Sequence, residues 1–461
     1  MLDKNTLSDI LASALSTGAE FAEVFVENVA TNTINLINGK AERILSGINF
    51  GVGIRIINAD KTVYLYTNKK DRDTLCKIAK NGALALKGST PFSLITFNES
   101  IPQKNICPVV YIPGSISKNE IVGKLKEGSC AAFDYDKSIT QTSMGYLDTV
   151  QDVLIANSYG LYTKDKRVRT RVSIQAVASD ENEKQTGYFG PGASKGTEFL
   201  KTLDIKSLAQ EAARSAVTML KAGDCPSGRM PVIIDNGFGG VIFHEACGHG
   251  LEASAVSKNA SVFAGKIGEK IASEKVTAYD DGTIENAWGS SNIDDEGHPT
   301  ERNLLIENGI LKTYMTDFFN GRKIGIEATG SSRRQSYKYL PVSRMTNTYI
   351  GAGTDKREDI IASTDYGLYA KYMGGGSVNP ATGDFNFAVN EAYIIRKGKI
   401  CEPVRGATLI GKGADILKDI DMVSEDLKLA EGMCGASSGN IPVCVGQPMI
   451  RVKEITVGGK S

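Results

Sequence analysis

Thr33-Ile-Asn-Leu-Ile-Asn-Gly-Lys-Ala-Glu-Arg-Ile-Leu45 decides the fold class of the first half of the chain. Asn38-Gly39 supplies two residues that tolerate positive φ between two strand-like runs, the pattern of a type I′ β-hairpin. Working outward, Ala22, Val24 and Val26 alternate and share one face of a strand, and further strands are expected near 51–57 and 62–66. Upstream, Leu7, Ile10, Leu11, Ala14 and Leu15 recur at helical spacing, and Gly18 supplies the left-handed position beyond the helix end. A helix from about 71 to 87 closes the unit.

The same order recurs downstream. After a linker over 88–104, which carries Pro91 and Pro102, Ser117-Lys-Asn-Glu120 reads as a capping box. Strands follow near 144–156 and 161–178, joined by Asn157-Ser-Tyr-Gly160. In the second of these, Arg167, Arg169 and Arg171 alternate with Val168, Thr170 and Val172, which predicts a basic, solvated face rather than an anion contact. A helix over about 204–222 ends at Gly223, with Pro226 beyond it. From Pro231 the texture changes to short strand and turn signals with glycine-rich clusters. The expected fold is α+β. Residues 1–225 form two similar helix–antiparallel-sheet–helix subdomains (about 1–88 and 105–225), and 226–461 form a β-rich C-terminal catalytic domain.

Composition narrows the function. A hydrophobic fraction of 41% and a charged fraction of 23% are globular values, and 461 residues imply more than one core. Lys+Arg and Asp+Glu are 53 each, so nothing in the charge balance points to a nucleic-acid binder. No apolar run approaches the ~18 residues needed to span a bilayer, and the N-terminus shows no secretory apolar region. The eight cysteines are scattered through a large chain, which predicts a reducing cytoplasm rather than a disulfide scaffold. The 49 glycines predict many tight turns.

Two of only three histidines fall in Phe243-His-Glu-Ala-Cys-Gly-His-Gly-Leu-Glu252. Histidine is the commonest metal ligand, and a glutamate beside two ligands is how zinc hydrolases position a general base. The familiar zinc helix spaces its histidines at i and i+4. Here His244 and His249 are five apart, about 140° around an ideal helix, so a regular helix does not aim both at one ion. A π-bulge or local unwinding at Gly248 would. The bland alternative is two histidines and a glutamate near a helix end capped by Gly250; the scarcity of histidine elsewhere favours a metal.

A catalytic zinc needs a third protein ligand. His298, in Asp294-Asp-Glu-Gly-His-Pro299, reads as a surface turn residue. Cys434 is flanked by glycines that allow close approach, whereas Cys444 and Cys247 read as small buried hydrophobes. With zinc on His244, His249 and Cys434, Glu245 takes the proton of the attacking water and passes it to the leaving amine.

These residues carry a resemblance. The chain resembles the TldD/PmbA family of metallopeptidases, specifically the TldD-type subunit that keeps an HExxxH motif. Beyond His244–Glu252, the similar segments are Ile234-Asp-Asn-Gly237, Asp294-Asp-Glu-Gly297, Arg333-Arg-Gln-Ser-Tyr337, Pro341-Val-Ser-Arg-Met-Thr-Asn-Thr348, Gly374-Gly-Gly-Ser-Val378, Met433-Cys-Gly435 and Val445-Gly-Gln-Pro448. The resemblance implies one zinc per chain on His244, His249 and Cys434, with Glu245 catalytic. It also implies hydrolysis of short or unfolded peptides held as extended strands, to which Gly374, Gly375, Gly376, Ser377 and Val378 would offer backbone groups. The expected assembly is a homodimer or a heterodimer with a PmbA-type subunit, with no nucleic acid or membrane as partner.

Three rival readings are weaker. The glycines of Ile233-Ile-Asp-Asn-Gly-Phe-Gly-Gly240 suggest a dinucleotide turn, but Ile242 replaces the third glycine of that fingerprint. A cysteine hydrolase using Cys247 or Cys434 has no local motif. A non-catalytic partner protein with a structural metal is the third.

Overall fold

The computed structural model describes residues 1–459 other than 92, 101 and 103. The Asn38-Gly39 turn closes a hairpin of two strands, Phe21–Ile37 and Lys40–Asn58, each far longer than the sequence suggested. Asn38 and Gly39 both take positive φ, as a type I′ turn demands. The second hairpin, Ile139–Asn157 with Leu161–Ser179, is equally long. The fold is α+β, and the two helix–sheet–helix units do not stand apart. Phe21–Ile37 pairs antiparallel with Ile139–Asn157 over 15 residues, Glu23 to Ile37, so both units share one eight-stranded sheet.

Even-numbered residues of Phe21–Ile37 point to one face of that sheet, and helices cover this face in two pairs. Lys4–Ala14 and Arg72–Ala83 pack on Ala22, Val24 and Val26, while Lys118–Phe133 and Ile205–Leu220 pack over Ile34 and Leu36. All four helices begin at a side-chain cap, the one at Ser117 being the capping box read from the sequence: Asp3, Asp71, Ser117 and Asp204 each accept a hydrogen bond from a backbone N–H of the first turn. Of the expected linker, positions 92, 101 and 103 lie outside the described residues, and Asn98–Ser100 joins the sheet as a parallel edge strand beside Leu161–Thr163.

Odd-numbered residues of the same strands face the C-terminal half, and here the predicted solvated face is corrected. Arg167 is buried, pairing with Asp165 at 3.1 Å and Asp295 at 2.6 Å. Arg169 reaches the carbonyls of Trp288 and Ser290, and Arg171 lies over the Trp288 ring. The turn around Asp294–Glu296 is likewise buried, with Glu296 paired to the buried Arg55, while His298 is part-exposed and Pro299 exposed.

In the C-terminal half, five strands pair in a ring: Tyr366–Val378, Gly228–Ile234, Ile450–Gly458, Thr408–Lys412 and Asp384–Arg396, the last returning to the first. A six-stranded sheet beside it ends in Asn347–Ile350, Gly439–Gln447 and Lys428–Ala436. The glycine run 237–240 is a short 3₁₀ turn laid on this sheet. A Cβ on Gly240 would stand 2.4–2.5 Å from the backbone of Gly446, so these glycines serve close packing. Gly240→Ala is therefore expected to destabilise the chain by about 1–3 kcal/mol through forced backbone movement, seen as a lower midpoint in thermal unfolding.

Candidate metal centre

Strand Gly228–Ile234 delivers the chain into the glycine turn and then the helix Val241–Ala246. The helix is apolar on the side of Ile242, Phe243 and Cys247, all buried in the main C-terminal core. It stops at Cys247, whose φ of −131° and ψ of −49° leave the helical region, and restarts as a 3₁₀ turn over Gly248–Leu251. This is the irregularity that the five-residue spacing requires. Gly248 sits where a Cβ would meet the Met345 sulfur at 2.2 Å, so the break is packed against the buried Met345 side chain just before strand Asn347–Ile350.

The break turns both imidazoles to one point. Cys434 Sγ lies 3.3 Å from His244 Nε2 and 3.4 Å from His249 Nε2, and the two rings stand nearly perpendicular with centroids 5.1 Å apart. One donor atom from each of the three residues falls within 4.8 Å of the others. The far nitrogens are held from behind. His244 Nδ1 is 3.2 Å from Thr348 Oγ1, and His249 Nδ1 is 3.3 Å from Glu252 Oε1. Such partners fix ring orientation and leave Nε2 facing inward.

Cys434 comes from the outer hairpin, where it pairs with Ile441. Two side chains anchor that hairpin. Arg344, fully buried, donates to the Cys434 carbonyl at 2.7 Å and to Gly439 O at 3.0 Å, and its Nε lies 3.7 Å from Glu252. Trp288, the only tryptophan, donates to Gly432 O at 3.0 Å. Arg344, Thr348 and Glu252 were missed as functional by spacing arguments; Glu252 alone left a signal, as an acid three residues after a candidate ligand.

Burial opposes charge on Cys434, yet the two imidazoles draw its thiol down to about 4, which favours the thiolate that a metal would bind. Burial also opposes protonation of His249, but Glu252 raises it well above the usual imidazole range. Glu245 stands at the rim, Oε2 3.7 Å from His249 Nε2 and its side chain 19% exposed; burial lifts its carboxyl, with the imidazoles pulling the other way. Two neutral-capable nitrogens and a thiolate form a donor set suited to zinc, and three protein donors leave a position open.

Other candidates lie elsewhere. Cys444 and Cys247 are buried, with thiols pushed up by burial, Cys444 to about 12. His298 is outside the cluster, its Nδ1 facing Pro299 O. Gly374–Val378 forms the end of strand Tyr366–Val378; beyond Ala370 that strand pairs only with Asp384–Arg396 among the described residues, leaving its other edge without a strand.

Three family models match consecutive parts of the chain: PmbA/TldA metallopeptidase domain 1 over 22–86, the central domain over 111–220 and the C-terminal domain over 227–459. A metalloprotease TldD homologue of Haemophilus influenzae is 37% identical, over 99% of this chain and 97% of its own length. One from Buchnera aphidicola is 38% identical over 89% and 86%. A zinc metalloprotease TldD homologue of Saccharolobus solfataricus is 26% identical over 97% and 99%. Among solved structures, a putative modulator of a DNA gyrase from Thermotoga maritima superposes with a TM-score of 0.81 at 22% identity, covering 99% and 100% of the two chains. TldE from Thermococcus kodakarensis gives 0.77 at 20%, over 98% and 100%. The chain belongs to the PmbA/TldD metallopeptidase family.

Proposed function

We propose that the chain is a zinc peptidase, with one zinc ion on His244, His249 and Cys434 and Glu245 as general base. The observation that carries this reading is the convergence of two Nε2 atoms and a thiolate at one point beside a rim carboxylate. The printed names of the relatives, metalloprotease and in one case zinc metalloprotease, support it. Zinc held there would supply Lewis acidity to the scissile carbonyl and bring a water's pKa toward neutrality. Glu245 takes the proton of the attacking water and returns it to the leaving amine. Glu252 and Thr348 keep the two imidazoles aimed, and Arg344 holds the backbone of Cys434 in place.

Short or unstructured peptides are the proposed substrates, laid as an added strand along the open edge of Gly374–Val378. The proposed assembly is a dimer, of this chain with itself or with a PmbA-type subunit. Ile44, Leu45 and Ile48 are exposed on the part of strand Lys40–Asn58 that lies beyond its pairing with Lys61–Thr67, and they support such an association. No helix among the described residues is long and apolar enough to cross a membrane, and all eight cysteines are unpaired, which supports a reducing, cytoplasmic setting.

Metal analysis of the purified chain is expected to give about one zinc per chain, and Cys434→Ser is expected to bind zinc at least ~10-fold more weakly. Full occupancy in Cys434→Ser would move the third ligand elsewhere. The Cys434 thiolate between two imidazoles also favours one rival, a cysteine hydrolase. Cleavage that survives chelation and stops with iodoacetamide would establish that rival.

A further inference from the structure

The basic strand face of Arg167, Arg169 and Arg171 has no part in the metal centre. It does border a cavity of about 60 Å³ between the long sheet and the C-terminal half, lined chiefly by Arg169, Arg333, Asp294, Asp295, Gln151 and Asn440. Arg167 and Arg334 also reach it, but both are neutralised: Arg167 by Asp165 and Asp295, Arg334 by Glu23 at 2.8 Å. The carboxylates are engaged too. Asp295 accepts from Arg167 and from the Arg334 backbone N–H, and Asp294 accepts from the backbone N–H groups of Glu296, His298 and Ser332.

Arg169 and Arg333 have no ion pair among the described residues. Arg169 donates only to the carbonyls of Trp288 and Ser290, at 3.3 and 3.4 Å. Arg333, buried, donates to the carbonyls of Met345 and Pro442, at 2.5 and 2.7 Å. Arg169 is part-buried and Arg333 buried. Asp165 and Asp295 act on the first, and Asp295 and Asp280 on the second, only from beyond ion-pair contact. A guanidinium that holds its charge without a contacting carboxylate is costly to bury. Burial and the nearby Arg167 bring Arg169 down to about 10; burial and Arg169 bring Arg333 down to about 9. Arg167 and Arg334, which have their carboxylates, move the other way.

We propose that this cavity is a binding site for a small oxyanion, a carboxylate or phosphate-sized group held between Arg169 and Arg333. Its space suits ~3–5 heavy atoms, too few for a nucleotide. Planar guanidinium forks are the side chains best matched to such oxygens. The site touches the metal centre indirectly: Pro442, which accepts from Arg333, and Ile441, which pairs with Cys434, form one wall. An anion there braces the hairpin that carries Cys434.

The test uses the zinc-loaded full chain. Sodium phosphate, against chloride at equal ionic strength, is expected to raise the unfolding midpoint by about 2 °C or more and to give a calorimetric binding isotherm. Arg169→Gln and Arg333→Gln are each expected to weaken that binding at least ~10-fold. A wild-type crystal soaked in selenate is expected to show an anomalous peak between the two guanidiniums, which decides the matter even where the variants fail to fold. No binding of phosphate or selenate by the wild type, unchanged binding in both variants, or a selenate peak elsewhere overturns the proposal. Two further arms separate the sources of the oxyanion. Displacement of phosphate by a peptide with a free C-terminal carboxylate, and not by its amide, assigns the site to substrate. Displacement by neither assigns it to a free inorganic anion.

Discussion

Glu245→Gln is expected to lower the rate of peptide cleavage by about 10²–10⁴-fold while leaving zinc content and thermal midpoint close to those of the wild type. The substitution keeps the size of the side chain and removes only its capacity to accept a proton. Glu245 lies between the two imidazole-bearing residues in sequence but contributes no donor to the point where His244, His249 and Cys434 meet. Its side chain stands at the partly open rim, whereas His244 is 2% exposed. A merely structural glutamate would show itself through stability or zinc content. Cleavage within about tenfold of wild type, with zinc in place, would sink the general-base assignment.

The second large effect concerns stability. Arg334→Met is expected to destabilise the folded chain by about 3–5 kcal/mol, because it strands a buried carboxylate. Arg334 is buried and donates to Glu23 at 2.8 Å, to the Asp295 carbonyl at 2.7 Å and to the Tyr64 hydroxyl at 3.0 Å, with its guanidinium over the Phe25 ring. Glu23 and Phe25 belong to the first long strand, so one side chain ties the N-terminal sheet to the C-terminal half. Adding Glu23→Gln removes the stranded charge, and the double variant is expected to recover part of the loss. A denaturant titration of the two single variants and the double one measures the coupling. Additive losses would show that the two side chains act independently.

These two side chains also mark where sequence reading succeeds and where it stops. Local rules were enough for the four helices that cover the long sheet, though not for short ones such as Phe318–Ile324 and Arg357–Ala362. Asn38-Gly39 was enough for the first hairpin. The strand length was not legible: Glu27-Asn-Val-Ala-Thr-Asn32 interrupts the apolar alternation, although Phe21–Ile37 runs through as one element. What keeps that stretch in the sheet is antiparallel pairing on both sides, with partners at positions 46–51 on one side and 148–153 on the other.

The arginine face was misread for a related reason. Arg167 and Arg169 look solvated until Asp295 and the Trp288 loop, more than 100 residues on, arrive opposite them. At the metal centre, rarity of histidine and the glycines around Cys434 were informative, and the five-residue spacing foretold a break in the helix. The outer supports, Thr348 and Arg344, were invisible because neither residue type is unusual in a strand or loop and neither is near a ligand in the chain.

The position of Cys434 on the last hairpin of the described residues bears on how the chain is made. A ribosome that has delivered the first 430 residues has produced both histidines and Glu245, but not the sulfur, and the strands Lys428–Ala436 and Gly439–Gln447 must still pair before that sulfur is presented. Under the proposed function, a nascent or prematurely terminated chain would therefore lack a complete catalytic centre. Biosynthetic order alone would then keep unfinished copies from cutting the unfolded polypeptides around them, including their own unfinished selves.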